Sequence, residues 1–588
     1  MANACAYIRP AAIYRWPEMR SQFIQEEIVM KSVLRQLSLL LCLALLLGAS
    51  AAAEPQVYTA SGYGYGGELQ VQVTIDQGAI TDIVLGDNHE TNVVIDRAFP
   101  VIRQRILEAN SPVVDSVTAA TFSSYAVKSA VADAMAQAGL EAVEITMATS
   151  GGEHAPTQRE AEQCDIVIVG GGPAGLAAAI GAKQTNPELN VILVEKLDIL
   201  SGNGKFDMNF FDIINTQAQK EAGNEEWTVD QVAHFIESKA ESGETAERIA
   251  IWAEEENQLD AWLRDMGVEL NYNYGGTNHM AEADQYAGEV IQAGLERAVE
   301  QLGVDVRTGT KGTDLVMEDG ACKGVVVTNN DNETYTIEAQ SVIVATGGFC
   351  SNKELLAEYA PGYEVLNTSN QMGTTGDFVK VFEKYGFKME NMGKMSVFAN
   401  IIVPRRDLTG GADMNLLVNK EGQLLPNKSG LDRGLMIQEQ TDGAAFYITD
   451  GTGYDSFYRI RKHVGLGYYA QGETLEELAQ ALGIDAAGLA ASVEQYNADA
   501  QAGSENAATG SVPSRALDAQ GPYYGVRVEA ANHMTKGGVV ANEHAQVLYE
   551  DGQVVPGLYA AGEVTWQSGG YSQSVVFGKI AGEHAAAQ

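Results

Sequence analysis

Three glycines, Gly170, Gly172 and Gly175, punctuate the run CDIVIVGGGPAGLAAA, after a buried-type strand and at the opening of a helix. In a strand–turn–helix–strand unit this spacing binds a dinucleotide. Gly170 permits the tight turn, Gly172 lets the backbone approach a pyrophosphate, and Gly175 lets helix and strand pack closely. Ala174 lies in the same turn; Glu195 ends the next strand, where it can accept from ribose hydroxyls, and Lys196 follows it. A second group of reactive side chains lies earlier, in DSVTAATFSSYAV (115–127). Thr118, Thr121, Ser123 and Ser124 precede a helix whose apolar face is Val127, Ala130, Val131, Ala134, Met135 and Ala138, with Gly139 at its C-cap position. N-capping accounts for one such hydroxyl. Four suggest an anion site, because a helix N-terminus attracts phosphate.

The elements that must position these groups can be read along the chain. Residues 54–147 form a small α+β unit: a strand meander with a Gln-Gly turn, the helix AFPVIRQRILEA, then the hydroxyl-rich loop and its helix. Residues 148–163 are polar, rich in Gly, Ser and Pro, and read as a linker. The dinucleotide unit begins at 164 and runs to 365, a more irregular Gly/Asn-rich segment occupies 366–515, and short strands with a closing helix occupy 516–588. Two distant strands end at glycines: SVIVATGGF, with Ala345, Thr346, Gly347 and Gly348, and GLYAAGEVT, with Gly562 and Glu563. A chain that returns to its dinucleotide after several hundred residues resembles the two-dinucleotide-binding-domain flavoproteins. The closing helix, carrying Ser572 and Ser574, would then aim its positive N-terminus at the pyrimidine edge of a flavin. This favours FAD over NAD.

The formal net charge of −40 over 588 residues disfavours nucleic acid as a partner. Residues 1–53 read as an N-terminal extension and a secretory signal. Met30 starts a basic region with Lys31 and Arg35, Leu39 to Leu47 are apolar, and small residues up to Ala53 mark a cleavage site. The apolar run is far shorter than the roughly 20 residues a membrane span needs. An exported, extracytoplasmic protein cleaved near Ala53 is expected. Cys164, Cys322 and Cys350 are scattered, with no CxxC, haem-attachment or histidine cluster, so a redox cofactor should be organic rather than a metal.

Further segments carry a family resemblance over about 164–585. SGNGKFDMN (201–209), with Gly202, Asn203 and Lys205, resembles the flavin-contacting GGN-x-K segment of the soluble fumarate reductase and urocanate reductase family. NQMGTTGD (370–377), VNKEGQLLPN (418–427) and HMTKGG (533–538) resemble that family's NHPGATGD, VNREGxRFMNE and HHTMGG stretches. D-x-x-T-A-A-T resembles the flavinylation motif of FMN-binding domains, in which a transferase esterifies FMN phosphate to the last threonine, here Thr121. The resemblance implies an α/β fold: a Rossmann-like FAD-binding domain with an inserted α+β capping domain, preceded by a small α+β FMN-binding domain. It also implies non-covalent FAD, covalent FMN on Thr121, a flavin transferase for maturation, a membrane-associated electron donor and a small-molecule acceptor with a reducible C=C bond.

The departures fall where that family clamps dicarboxylates. The family histidine of NHPGATGD is Gln371; the second histidine of HHTMGG is Met534, leaving His533; and the loop that carries a clamp arginine is shortened to WQSGGYSQS (566–574). The family's catalytic arginine falls on Asp432 by ungapped count, and Arg433 takes its place only with a one-residue shift. Arginine geometry is what permits bidentate carboxylate binding, so fumarate is disfavoured and an acid with one carboxylate or an enone is expected. Candidate catalytic groups are Arg433, His533, Gln371 and Tyr571, the last as a phenol proton donor. The cluster Arg459, Arg461 and His463 reads as a solvated helix face. Two other functions suit the same residues. One is a flavin dehydrogenase like the ketosteroid dehydrogenases, which use tyrosines, here Tyr447, Tyr468, Tyr469 and Tyr571. The other is a non-catalytic flavin electron carrier.

Overall fold

The computed structural model describes Arg35 and residues 54–90, 92–151, 155–200, 202–205, 210–239, 244–283, 285–403, 407–410, 416–566 and 570–588. Residues 1–53, read from sequence as an extension and a signal, apart from Arg35, and positions 567–569 of the 566–574 loop lie outside the described residues.

Three antiparallel strands, Gln56–Tyr63, Glu68–Asp76 and Ala79–Asn88, form the N-terminal sheet. Gln77 and Gly78 both have positive φ, 49° and 85°, the twist that a two-residue hairpin needs. Alternate strand residues Leu69, Val71 and Val73 point inward and meet Ile102 and Ile106 of helix Asn92–Ala109 and Val127 and Val131 of helix Thr121–Gln137.

The central sheet has nine strands. Its parallel part runs Asp305–Arg307, Val191–Val194, Glu162–Val169, Glu333–Val344 and Val554–Ala560, and an antiparallel pair, Ala321–Asn329 and Thr310–Glu318, extends it. Thr157–Gln158 pairs with Glu333–Val344, and Glu162–Val169 begins ahead of residue 164, so the end of the expected linker is already sheet. Helix Pro173–Thr185 packs along the closing helix Tyr571–Ala586. The approach is close enough that a Cβ on Gly578 would lie 2.2 Å from the Ala174 carbonyl oxygen, and one on Gly582 1.9 Å from that of Ala178.

A seven-stranded sheet makes the capping unit, in the order Asp407–Leu408, Met395–Ile402, Tyr523–Thr535, Ala445–Asp450, Leu416–Val418. Asn367–Thr368 and Ala470–Gly472 also pair with its long central strand, Tyr523–Thr535. That strand lies beyond residue 515, where the composition shift suggested that the insert ends. Its inward residues Tyr524, Val526, Val528 and Ala530 are core, and its far end delivers His533 to Thr535 to the neighbourhood of the glycine turn.

Candidate functional site

The glycine turn is built as its spacing requires. Gly170 has φ +115°, and a Cβ there would lie 2.3 Å from the Ala345 carbonyl oxygen. One on Gly175 would lie 1.9 Å from the oxygen of Gly170, which fixes the contact between strand and helix. Gly172 caps helix Pro173–Thr185 with no side-chain bond, leaving the first backbone N–H groups pointing outward. Buried Glu195 is held by the N–H groups of Gly171 (2.7 Å) and Leu197 (2.8 Å), and burial raises its pKa. Lys196 pairs with Asp377 (2.6 Å), which Lys311 also reaches (2.9 Å).

A cavity of about 570 Å³ opens in front of this turn, within the size range of a ligand site. Of the residues the sequence marks for a cofactor, Gly170, Gly172, Ala174, Glu195, Lys196, Gly202, Asn203, Ala345, Thr346, Gly347, Gly562, Glu563 and Ser574 line it. Gly175, Gly348 and Ser572 do not. A Cβ on Gly348 would lie 2.0 Å from the Thr535 hydroxyl oxygen, so this glycine makes room for the bonds from the Thr535 N–H and hydroxyl to Glu563 Oε1 (2.8 and 3.0 Å). Lys205 closes the short turn Asn203–Lys205. Asn203 binds Asn370 (2.5 Å) and the Gln371 N–H (3.0 Å), tying segment 202–204 to 370–373.

Three helix N-termini face this cavity: Pro173–Thr185, Tyr571–Ala586 and Thr121–Gln137 all line it with first-turn residues. Each brings unsatisfied N–H groups and a positive dipole end, the arrangement that receives phosphate. The buried hydroxyl oxygens of Thr346 and Tyr571 line the same space and have no hydrogen-bond partner among the described residues. Gly turn, ribose-side carboxylate, convergent helix ends and orphaned hydroxyls together fit FAD.

The third helix belongs to the N-terminal unit, whose Tyr65, Glu90, Val94, Ala119, Thr121 and Met147 lie on the cavity wall. Capping does not explain its hydroxyls: the N-cap is Ala120, with no side-chain bond. Thr118 donates to Asp198 (2.9 Å), Ser123 donates to Glu90, and Ser124 accepts from the Val117 N–H (2.9 Å). Thr121 is exposed and lines the cavity, and its hydroxyl makes no hydrogen bond among the described residues. Ala119 just before it has φ +72°, a strained conformation for a residue with a Cβ, and such strain concentrates at functional loops. Buried Lys128 braces the loop from beneath through Val114 O, Ser116 Oγ and Thr149 O.

The four candidate catalytic residues separate. His533 lines the cavity, accepts or donates at Ser369 Oγ (2.8 Å), and is pushed down to about 4 by burial and by Arg459, so it is neutral at pH 7. Burial lifts the Tyr571 phenol well above the usual range, so it keeps its proton. Gln371 lines the cavity, yet its amide is engaged with the Gly202 carbonyl (2.8 Å), so it braces the flavin loop. Arg433 sits on helix Gly430–Gln438, away from the lining residues of this cavity, donating to Tyr447 (3.3 Å). Its position on the helix faces the capping core rather than the cavity, because Gly434, Met436 and Ile437 around it are packed there.

The tyrosines expected of a ketosteroid-type site are occupied elsewhere. Tyr447 accepts from Arg433, Tyr468 donates to the Tyr65 carbonyl (3.3 Å), Tyr469 bonds Thr409 (2.7 Å), and of the four only Tyr571 lines the cavity. The basic cluster is also no solvated face. Arg459 and His463 are buried, and His463 bridges Thr409 (3.0 Å) and Asp407 (3.0 Å). Asp407 in turn lines the cavity, a carboxylate the sequence reading passed over because no motif marks it.

Residues 165–574 match the FAD binding domain family and residues 64–136 the FMN-binding domain family. The chain is 28% identical over 91% of its length to NADH:fumarate oxidoreductase from Klebsiella pneumoniae (strain 342), of which it spans 59%. It is 30% identical to urocanate reductase from Eggerthella lenta, covering 92% of this chain and 94% of that protein. The open conformation of a flavocytochrome c3 fumarate reductase superimposes with a TM-score of 0.65 at 28% identity, over 72% of this chain and 78% of that one. The chain belongs to the FAD-dependent oxidoreductase family that includes the fumarate and urocanate reductases, with an FMN-binding domain ahead of its FAD-binding domain.

Proposed function

We propose that this protein is an exported reductase of activated C=C bonds, taking electrons through FMN on Thr121 to FAD in the cavity. One observation carries the reading: the only unengaged hydroxyl of the 118–124 cluster stands at a helix N-terminus on the wall of the cavity that the glycine turn serves. Bound there, the two flavins supply electron transfer and hydride delivery to an alkene. The chain's own residues then have separable duties. Thr121 anchors, through a phosphoester at Oγ1; the three helix ends receive phosphates; Tyr571 holds a proton inside the cavity. An electron donor at the membrane and a flavin transferase are the partners this arrangement requires.

The acceptor follows from the lining. Among the described residues no arginine faces the cavity, and Lys196 and Lys311 are both committed to Asp377. Asp407 adds a negative group, while Met147, Met372, Met534 and Tyr65 supply apolar surface. A dicarboxylate such as fumarate finds no fork here; an unsaturated acid with one carboxylate, or an enone, suits the wall better.

The test has two arms. Protein matured with a flavin transferase should carry one FMN by intact mass, and Thr121→Ala should carry none. Reduced viologen should be oxidised by enones or unsaturated monocarboxylates and not by fumarate. No flavin mass on Thr121 refutes the relay; turnover confined to fumarate refutes the acceptor class.

A further inference from the structure

Asp198 follows the second strand of the dinucleotide unit, with no part in the glycine turn. Its side chain is only 6% exposed, yet what surrounds it comes largely from another unit of the chain. The N-terminal unit donates to its carboxylate from the Thr118 N–H (2.8 Å), the Thr118 hydroxyl (2.9 Å) and the Arg105 guanidinium (2.7 and 3.4 Å). The Asp198 N–H returns a bond to Thr118 Oγ1 (2.6 Å), and Asn330 of its own unit donates to it (2.6 Å). Ile199 beside it, 3% exposed, packs inside the apolar core of the N-terminal unit.

We propose that Asp198 and Ile199 form a docking latch that holds the Thr121 loop against the FAD cavity. The argument is positional. Thr118 stands three residues ahead of Thr121, in the turn that leads into its helix, so a carboxylate that fixes both its N–H and its hydroxyl anchors the segment that carries the Thr121 side chain. Other contacts join these units away from the Thr121 loop: Arg97 donates to the buried Glu296 carboxylate (2.7 Å), Tyr65 reaches Asp407 at 3.3 Å, and the Tyr65 carbonyl accepts from Tyr468 at 3.3 Å. Asp198 differs in being a buried carboxylate that gathers its donors from the Thr121 loop itself, and a buried carboxylate that loses its donors is left uncompensated. Asp198 is therefore a positioning residue, acting on the flavin site through Thr118. The latch rests on the proposed role of Thr121 for its purpose, not for its existence.

Docking is read first in flavin-free protein. Small-angle scattering of the wild type should give one compact particle at all salt concentrations, and Asp198→Ala should give a larger radius of gyration with the N-terminal unit detached. Arg105→Ala and Thr118→Val attack the same contact from the other side and leave the FAD unit's sequence intact, so they keep the test decisive should Asp198→Ala not fold. Each should shift the scattering in the same direction, and the pair Arg105→Ala/Asp198→Ala should add little to either alone. In loaded protein, Asp198→Ala should slow the reduction of FAD through FMN at least tenfold and leave the FMN content by mass unchanged. Unchanged scattering in all three variants overturns the latch. A detached unit in a protein with no FMN on Thr121 upholds the latch and refutes the relay.

Discussion

Glu563 gives a measurement that needs no cofactor. Burial pushes its carboxyl up from 4.5 to about 7, although the Thr535 N–H and hydroxyl both donate to it. A carboxyl that holds its proton more tightly in the folded than in the unfolded chain favours the fold at low pH. That contribution is complete below pH 4.5 and is lost as the pH rises through about 7. At about 1.4 kcal/mol per pH unit, the whole interval amounts to roughly 3 kcal/mol. The sequence pI of about 4.5 sets a practical lower limit, and from pH 5.5 to pH 8 the remaining loss is about 2 kcal/mol. Glu563→Gln keeps an oxygen for Thr535 and has no charge to bury. Urea unfolding of flavin-free protein at the two pH values, followed by tryptophan fluorescence, measures the difference. Trp227, Trp252, Trp262 and Trp566 all lie within the FAD-binding unit, so the signal follows that unit. The wild type should lose about 2 kcal/mol relative to the variant between pH 5.5 and 8. An equal difference at both pH values refutes the argument that the cavity wall buries this carboxyl.

The same enclosure predicts a neutral His533: its folded pKa of about 4 lies below 6.5, so stability from the neutral ring is present above 6.5 and falls only as pH drops toward 4. An imidazole NMR titration should show a midpoint near 4 for this ring, and a midpoint above 6 refutes it. Gly582→Ala puts a Cβ 1.9 Å from the Ala178 carbonyl oxygen, where backbone must move; the variant should lose roughly 3 kcal/mol or more in urea unfolding and purify with less FAD. Wild-type stability in that variant would mean that the two helices do not pack as described.

The parts legible in the sequence are those whose chemistry is local. Gly170, Gly172 and Gly175 declare themselves because a turn, a pyrophosphate approach and a helix contact each exclude a side chain at a fixed spacing. Thr121 stood out because four hydroxyls exceed what one cap consumes. What each of the other three does was not legible: Thr118 and Ser123 are satisfied by Asp198 and Glu90, dozens of residues away in sequence. The resemblance brings Arg433 to the family's catalytic position only with a one-residue shift, and neighbouring positions on a helix face different ways. The end of the capping unit was misjudged for a related reason. Strand Tyr523–Thr535 finds partners at 395–402 and 445–450, and no composition change marks a pairing across that distance. The basic trio around Arg459 reads as surface because charge suggests water, whereas Asp407 supplies His463 with a buried hydrogen-bond partner.

The intimacy of helices 173–185 and 571–586 bears on the order in which this molecule can be assembled. The nucleotide turn is synthesised well before part of its wall, at Gly570, Tyr571 and Ser574. A nascent or truncated chain ending before residue 570 presents the turn with one side missing and an apolar helix face uncovered. A complete nucleotide wall therefore waits until the 571–586 helix has been made and packed.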